Sequence, residues 1–336
     1  RNRASVRMSA FDDVLGQEVA VRVLDRALAD GRVASAYLFE GPSGVGKERT
    51  AIALASALVA KGDAHTRERI LAGAHPDVRV FRPRDEGSRN LQVDFIREQV
   101  IPFTQFAPFE SDAAFVVFPE ADVSFPENHP EAANALLKTL EEPKARLHFV
   151  LLAERPDRLL TTIRSRCQRL RFAPLGRGAL ARILAREGVP EDAAGPAIAL
   201  AQGRADRALE LAAEGRAESL LETALYLHDA TMTSRPGLLV EAAERLAKLD
   251  EHERALALEA LSTLYRDLAA LNVGMPSEAL HYQSSLPTLH ARAMAVSVAG
   301  LAERERLVRR VDDALARNAN PQTTFDALVH ELRRHR

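Results

Sequence analysis

The 336 residues hold 46% hydrophobic and 27% charged side chains, the proportions of an ordinary folded protein and more chain than one core usually accommodates, so two or three domains are expected. Lys+Arg 45 against Asp+Glu 47 leaves a net charge of −2, which excludes a globally basic, nucleic-acid-coating surface. The single cysteine, Cys167, excludes an internal disulfide or a cysteine-built metal site, and no apolar run reaches the ~20 residues that span a bilayer.

Only five of the 45 basic residues are lysines, leaving forty arginines, so a lone arginine carries little information without context. The leading RNRASVR lacks the hydrophobic stretch of a signal peptide. Met8 reads as a start with seven residues upstream of it, and a cytoplasmic setting is expected.

The first half alternates short apolar runs with amphipathic stretches. Strands are expected at Ala36 to Glu40, Val78 to Phe81, Ala113 to Phe118, His148 to Ala153 and Gln168 to Phe172, each β-branched or aromatic and bounded by Gly, Pro or charge. Helices are expected at 17–30, 47–60, 91–100 and 131–142, with a short one after Pro156. Near-continuous apolar strands alternating with helices imply a parallel sheet covered on both faces.

From Leu175 the strand signals vanish. GALARILAREG, AAGPAIALAQG and RADRALELAAEG read as short helices, each closed by a glycine able to adopt the left-handed cap. Longer helical periods follow, among them EHERALALEALSTLYRDLAAL and TTFDALVHELRRH. The expected division is an α/β domain over 1–173, a small helical domain over 174–215 and an all-helical domain over 216–336.

GPSGVGKE, Gly41 to Glu48, directly follows a strand and precedes a helix, the context that makes a phosphate loop credible. Gly41, Gly44 and Gly46 let consecutive backbone N–H groups converge, the helix adds its positive N-terminus, and Lys47 adds a cation. The plain alternative is a glycine-rich turn with a coincidental lysine. The position after Lys47 should carry a magnesium-binding hydroxyl and instead carries Glu48. Thr50 lies about 200° further round the helix and cannot replace it. The third strand of such ATPases ends in a metal-binding aspartate, whereas here Phe118 is followed by Pro119, then Glu120, Ala121 and Asp122. Glu120 stands where a water-activating base would sit, or is a solvated carboxylate.

FDDVLGQEVAVRVLDRAL, AYLFEGPSGVGKE, AGAHPDV, EAANALLKTLEEP and TTIRSRCQ occur in that order. Together they resemble the clamp-loader branch of the AAA+ superfamily, the gamma/tau and delta-prime subunits of bacterial DNA polymerase III. The resemblance covers about 1–212 strongly and the helical remainder weakly, with an echo at Asn318 and Asn320. It implies a P-loop AAA+ module, a small helical lid over 174–215 and a helical collar over 216–336. It also implies that Arg166, inside an intact SRC, reaches across a subunit interface to the γ-phosphate of ATP bound next door. A guanidinium suits that task because it stays charged and bridges phosphate oxygens bidentately. The alternative is one more surface arginine. Arg164 and Arg169 carry no such context and read as solvated, and Cys167 reads as a small buried residue opening a strand.

Against the hydrolysing members, the sensor position at the end of the fourth strand is Ala153. A second sensor position in GRADRALEL is Asp206, with Arg207 about 100° away around the helix. The family's cysteine-rich zinc module has no counterpart between 60 and 73, so no zinc and no metal site are expected. The segment from Asp122 to Asn134 is longer than usual and has no assigned role.

Hydroxyl, metal carboxylate and both sensors are missing while the finger remains. The resemblance therefore implies an ATPase-deficient delta-prime-like subunit of a hetero-pentamer with gamma/tau and delta. It would act with the sliding clamp and primer-template DNA, hold ATP or ADP weakly at most, and contact no membrane. An active gamma/tau-like ATPase with atypical motifs is the alternative.

Overall fold

The computed structural model describes residues 9–83, 91–127, 129–144, 146–315 and 317–335, so Met8 and the segment before it lie outside the described residues, as does Asn128. Two compact units divide the chain, 1–179 and 180–336.

The first unit is built on five strands, β1 (Ala36–Glu40), β2 (Val78–Val80), β3 (Ala114–Phe118), β4 (Leu147–Ala153) and β5 (Gln168–Arg171). They pair in the order β2-β3-β4-β1-β5, and every pairing is parallel. Each expected strand is present, β1 with the expected bounds and the other four trimmed or extended by one residue at an end. Parallel strands need crossovers, which here are helices: α1 (Glu18–Ala29) and α2 (Lys47–Val59) flank β1, and α3 (Ala64–Leu71) precedes β2. The turn α4 (Val93–Phe95), a π-turn at Ile96–Val100 and α5 (Ile101–Gln105) run on end to end before β3. Pro102 in the first turn of α5 has no N–H to donate, which favours an altered ladder just before it. The turn α6 (Ala121–Ser124) follows β3, α7 (Glu131–Glu141) precedes β4, and α8 (Thr161–Arg164) precedes β5.

Strand residues alternate between two buried faces. Leu38, Val116, Phe118, Phe149 and Leu151 share a core with Ala133, Leu136 and Leu140 of α7 and with Ile96 and Val100. Helix α2 packs against β3 and β4, and Phe39 meets Phe172 with ring centroids 5.0 Å apart. A sheet covered on both faces explains why β1 and β3 are apolar almost throughout. The long segment after Asp122 is anchored by Phe125, which is fully buried edge-on against Phe118 at 4.9 Å.

The second unit is helical, with α9 (Arg177–Arg186) leading in, then α10 (Glu191–Leu200) and α11 (Ala205–Ala212). The closing glycines Gly188, Gly203 and Gly215 take φ of 78°, 77° and 66°, as the capping pattern required. There follow α12 (Arg216–Met232), α13 (Pro236–Ala247), α14 (Glu251–Asn272), α15 (Leu286–Met294), α16 (Val298–Leu315) and α17 (Pro321–Arg334). Helix α14 is central: Leu256, Leu261, Leu264, Tyr265 and Leu268 are buried and join one core with residues of α10, α12, α13, α16 and α17. Asn318 takes the left-handed conformation (φ 64°) after α16, and the Asn320 side chain accepts the Thr323 N–H at 3.1 Å to cap α17.

Arg304 is fully buried in this core. Its Nε donates to the His335 carbonyl at 3.1 Å, at the negative end of α17, its Nη1 donates to His228 Nδ1 at 3.2 Å, and it lies 5.6 Å from the Tyr265 ring centroid. Among the described residues no helix is long and apolar enough to cross a membrane.

Candidate functional site

The phosphate loop leaves β1 at Glu40 and enters α2 at Lys47. Gly41 sits at φ 152°, and a Cβ there would stand 2.2 Å from the Phe172 carbonyl oxygen. Only glycine lets β1 and the end of β5 approach so closely. Gly44 and Gly46 have φ of 67° and 96°, so the loop curls as the motif requires, with Gly46 as the left-handed residue before α2. Gly41 N–H donates to the Ala153 carbonyl at 3.1 Å, tying the loop to the end of β4.

Lys47 is buried, and its Nζ donates to the Gly41 carbonyl at 2.6 Å and to that of Pro42. The ammonium therefore lies within the curl of the loop. The cradle suits a phosphate group. The position after Lys47, where a phosphate-loop motif carries a hydroxyl, is Glu48, ion-paired with Arg82 just beyond β2. Thr50 is fully buried and donates to the Gly46 carbonyl at 2.8 Å, so its hydroxyl is spent on its own helix.

At the end of β3, Pro119 offers no side-chain ligand, and Glu120 is partly buried at the residue preceding α6. The Asp122 carboxylate accepts the Arg155 N–H at 2.8 Å. Ala153, which ends β4, is fully buried and apolar. Within the second unit Asp206 accepts from Arg204 at 2.9 Å, and Arg207 is ion-paired with Glu259 of α14.

Arg166 follows α8 and is partly exposed, with 31% of its side-chain surface accessible. Its Nε donates to Glu141 at 2.9 Å, and Nη1 donates to the Thr162 carbonyl at 2.8 Å. Cys167 packs against the sheet core, and burial pushes its thiol up to about 12, so it stays protonated and unreactive at neutral pH.

Arg169 is exposed at the sheet edge, as expected, and its Nε and Nη2 also grip the buried Glu40 carboxylate at 2.5 and 3.0 Å, bidentately. Parallel pairing of β1 and β5 sets Leu38 beside Arg169 and Glu40 beside Arg171, which brings the two side chains to one sheet edge. Arg164 is likewise engaged, donating to the Pro156 carbonyl at 3.0 Å.

Another network went unread in the sequence. His75 Nδ1 accepts the Asp77 N–H at 3.1 Å, and the buried Asp77 carboxylate accepts the N–H groups of Phe109, Glu110 and Ser111 and the Ser111 hydroxyl. Burial pushes this carboxyl upward, but the four donors outweigh burial and hold it below the usual range. The AGAHPDV motif thus fixes the approach to β3, and the one local clue was a Pro-Asp pair beside a strand.

A sequence profile of the family described as DNA polymerase III, delta subunit, matches residues 16–176. The DNA polymerase III subunit delta' of Bacillus subtilis is 28% identical over 324 residues, covering 93% of this chain and 95% of that protein. The delta' subunit of Pseudomonas aeruginosa is 34% identical over 142 residues, 40% of this chain and 42% of its own. The tau subunit of Escherichia coli is 29% identical over 344 residues, 98% of this chain and 48% of its own. The chain thus spans nearly the whole of the first relative and under half of the other two. Among solved structures, a DNA polymerase III gamma-subunit-related protein of Thermotoga maritima aligns over 95% of this chain and 99% of that one, at 18% identity and a TM-score of 0.44. The profile match over 16–176 and the similarity to delta' over 93% of the chain support a delta-prime-like clamp-loader subunit of DNA polymerase III, and a phosphate loop on a five-stranded parallel sheet followed by a helical C-terminal region fits that resemblance.

Proposed function

We propose that this chain is an ATPase-deficient subunit of a clamp loader that lends Arg166 to the ATP site of a neighbouring subunit. One contrast carries the reading. The chain's own magnesium positions are occupied by an ion-paired Glu48 and by Pro119, while the SRC turn holds Arg166 partly open to solvent. A cation delivered in trans stabilises charge developing on the transferred phosphoryl group and reports that the neighbour has docked.

In this reading 1–173 is the AAA+ body, 174–215 the lid and 216–336 the collar that joins sister gamma/tau and delta subunits in a cytoplasmic hetero-pentamer. The complex opens the sliding clamp and sets it on primer-template DNA, with backbone-directed DNA contacts that weaken as salt rises. The phosphate loop is a degenerate cradle. Gly41, Gly44, Gly46 and Lys47 would hold the phosphates of ATP or ADP, and the chain adds no magnesium ligand or hydrolytic base of established geometry.

An active gamma/tau-like ATPase is the second reading, favoured by the similarity to E. coli tau over 98% of the chain. The pairing of Glu48 and the proline at position 119 weigh against it. Reconstitution with cognate gamma/tau and delta separates the two. The Arg166→Ala complex should assemble yet lose most of its clamp-stimulated ATPase, with Lys47→Ala in this chain making little difference. Unchanged turnover in a properly assembled Arg166→Ala complex would remove the trans-finger reading.

A further inference from the structure

Arg166 does not project freely from its turn. Its Nε donates to Glu141 Oε1 at 2.9 Å, Nη2 makes a second contact with the same oxygen, and Nη1 is tied to the Thr162 carbonyl at 2.8 Å. Glu141 closes α7 and Arg166 follows α8, two helices packed together, so the contact joins fixed backbones. A planar guanidinium grips a phosphate through two adjacent N–H groups, and here each of its three nitrogens already has an acceptor. The side chains are 31% and 47% exposed, which makes the pair weak and exchangeable.

We propose that Glu141 is a holding residue for Arg166. Its carboxylate parks the guanidinium while no phosphate is present and yields it to the γ-phosphate of a neighbour's nucleotide. Both anions compete for the same N–H groups, and the Glu141 charge opposes the approaching phosphate. The parked pair therefore lowers the neighbour's apparent nucleotide affinity until docking is complete. This inference rests on the trans-finger reading of Arg166 and adds its regulation.

The test is titration of the reconstituted complex with a fluorescent, non-hydrolysable ATP analogue. Glu141→Gln should tighten binding by up to about five-fold, the measure of an exposed ion pair. Glu141→Ala should do the same, which separates loss of the carboxylate from new bonding by the amide. Neither substitution should change affinity on an Arg166→Ala background. Unchanged or weaker binding by Glu141→Gln, while Arg166→Ala still weakens it, overturns the holding role and leaves the finger standing. Equal tightening in both backgrounds overturns it too, because the carboxylate would then act on the nucleotide without Arg166. No effect of Arg166→Ala on affinity or turnover removes the finger and this inference together.

Discussion

The carboxylate of Glu48, in the first turn of α2, is ion-paired with the guanidinium of Arg82, which leaves β2 34 residues later. The pair joins the first turn of α2 to the segment after β2 within the first unit.

Restoring the hydroxyl at position 48 is not expected to restore chemistry. On the proposed ATPase-deficient reading, Glu48→Thr still leaves Pro119 after β3 and Ala153 at the end of β4, neither of which offers a polar side chain to a metal or water. The isolated variant should turn over ATP no faster than the parent protein in a coupled assay with magnesium. Appreciable turnover by this single variant would show that position 48 alone had silenced the site.

Asp77 should be a stability residue. It is fully buried and accepts three backbone N–H groups and the Ser111 hydroxyl. Asp77→Asn removes the charge and turns a donor toward donors, a cost of about 2–3 kcal/mol. The carboxyl sits below its ordinary value, so its contribution is complete above the unfolded value near 4 and is lost as pH falls through the folded value. Urea unfolding at pH 7 should show the full difference between parent and Asn variant, and the difference should shrink in acid.

His228 gives the second unit its own acid response. Burial, and then the charge of Arg304, push its imidazole down to about 4. Between about 6.5 and 4 the unfolded chain takes up a proton that the folded chain refuses. Stability should therefore fall across that window as pH drops, by about 3 kcal/mol in total. His228→Gln cannot titrate and should flatten the slope, measured as unfolding free energy against pH. The partly buried His148 is shifted in the same direction and leaves a residual slope in both proteins. A slope unchanged by His228→Gln would mean that the proton uptake lies elsewhere.

Cys167 should resist thiol reagents although it adjoins the partly exposed Arg166. Burial pushes its thiol up to about 12, which leaves almost no thiolate at neutral pH. Reaction with a chromogenic disulfide should be slow in the native protein and fast in denaturant. Rapid native-state labelling would indicate that the turn carrying Arg166 opens readily.

The architecture was legible in the amino-acid sequence because it rests on local pattern. Apolar runs of strand length and glycines that close helices act over a few residues, and the structure places elements where those patterns stood. The phosphate loop was legible for the same reason, since strand, glycines, lysine and helix are contiguous. Helix α3 was missed because AHTRERIL carries little apolar periodicity and is held mainly by the Asp63 cap and the burial of Ile70.

Side-chain partnerships were a different matter. Arg169 finds Glu40 across 129 residues, Arg82 finds Glu48 across 34, and Arg166 finds Glu141 across 25. Among forty arginines no spacing rule could have chosen those three pairings, because strand order and helix packing bring the groups together. Residue chemistry decided what each charge could do. The parallel order β2-β3-β4-β1-β5 and the packing of α7 on α8 decided which opposite charge it would meet, since Coulomb attraction and hydrogen bonding act over a few ångströms of space regardless of separation along the chain.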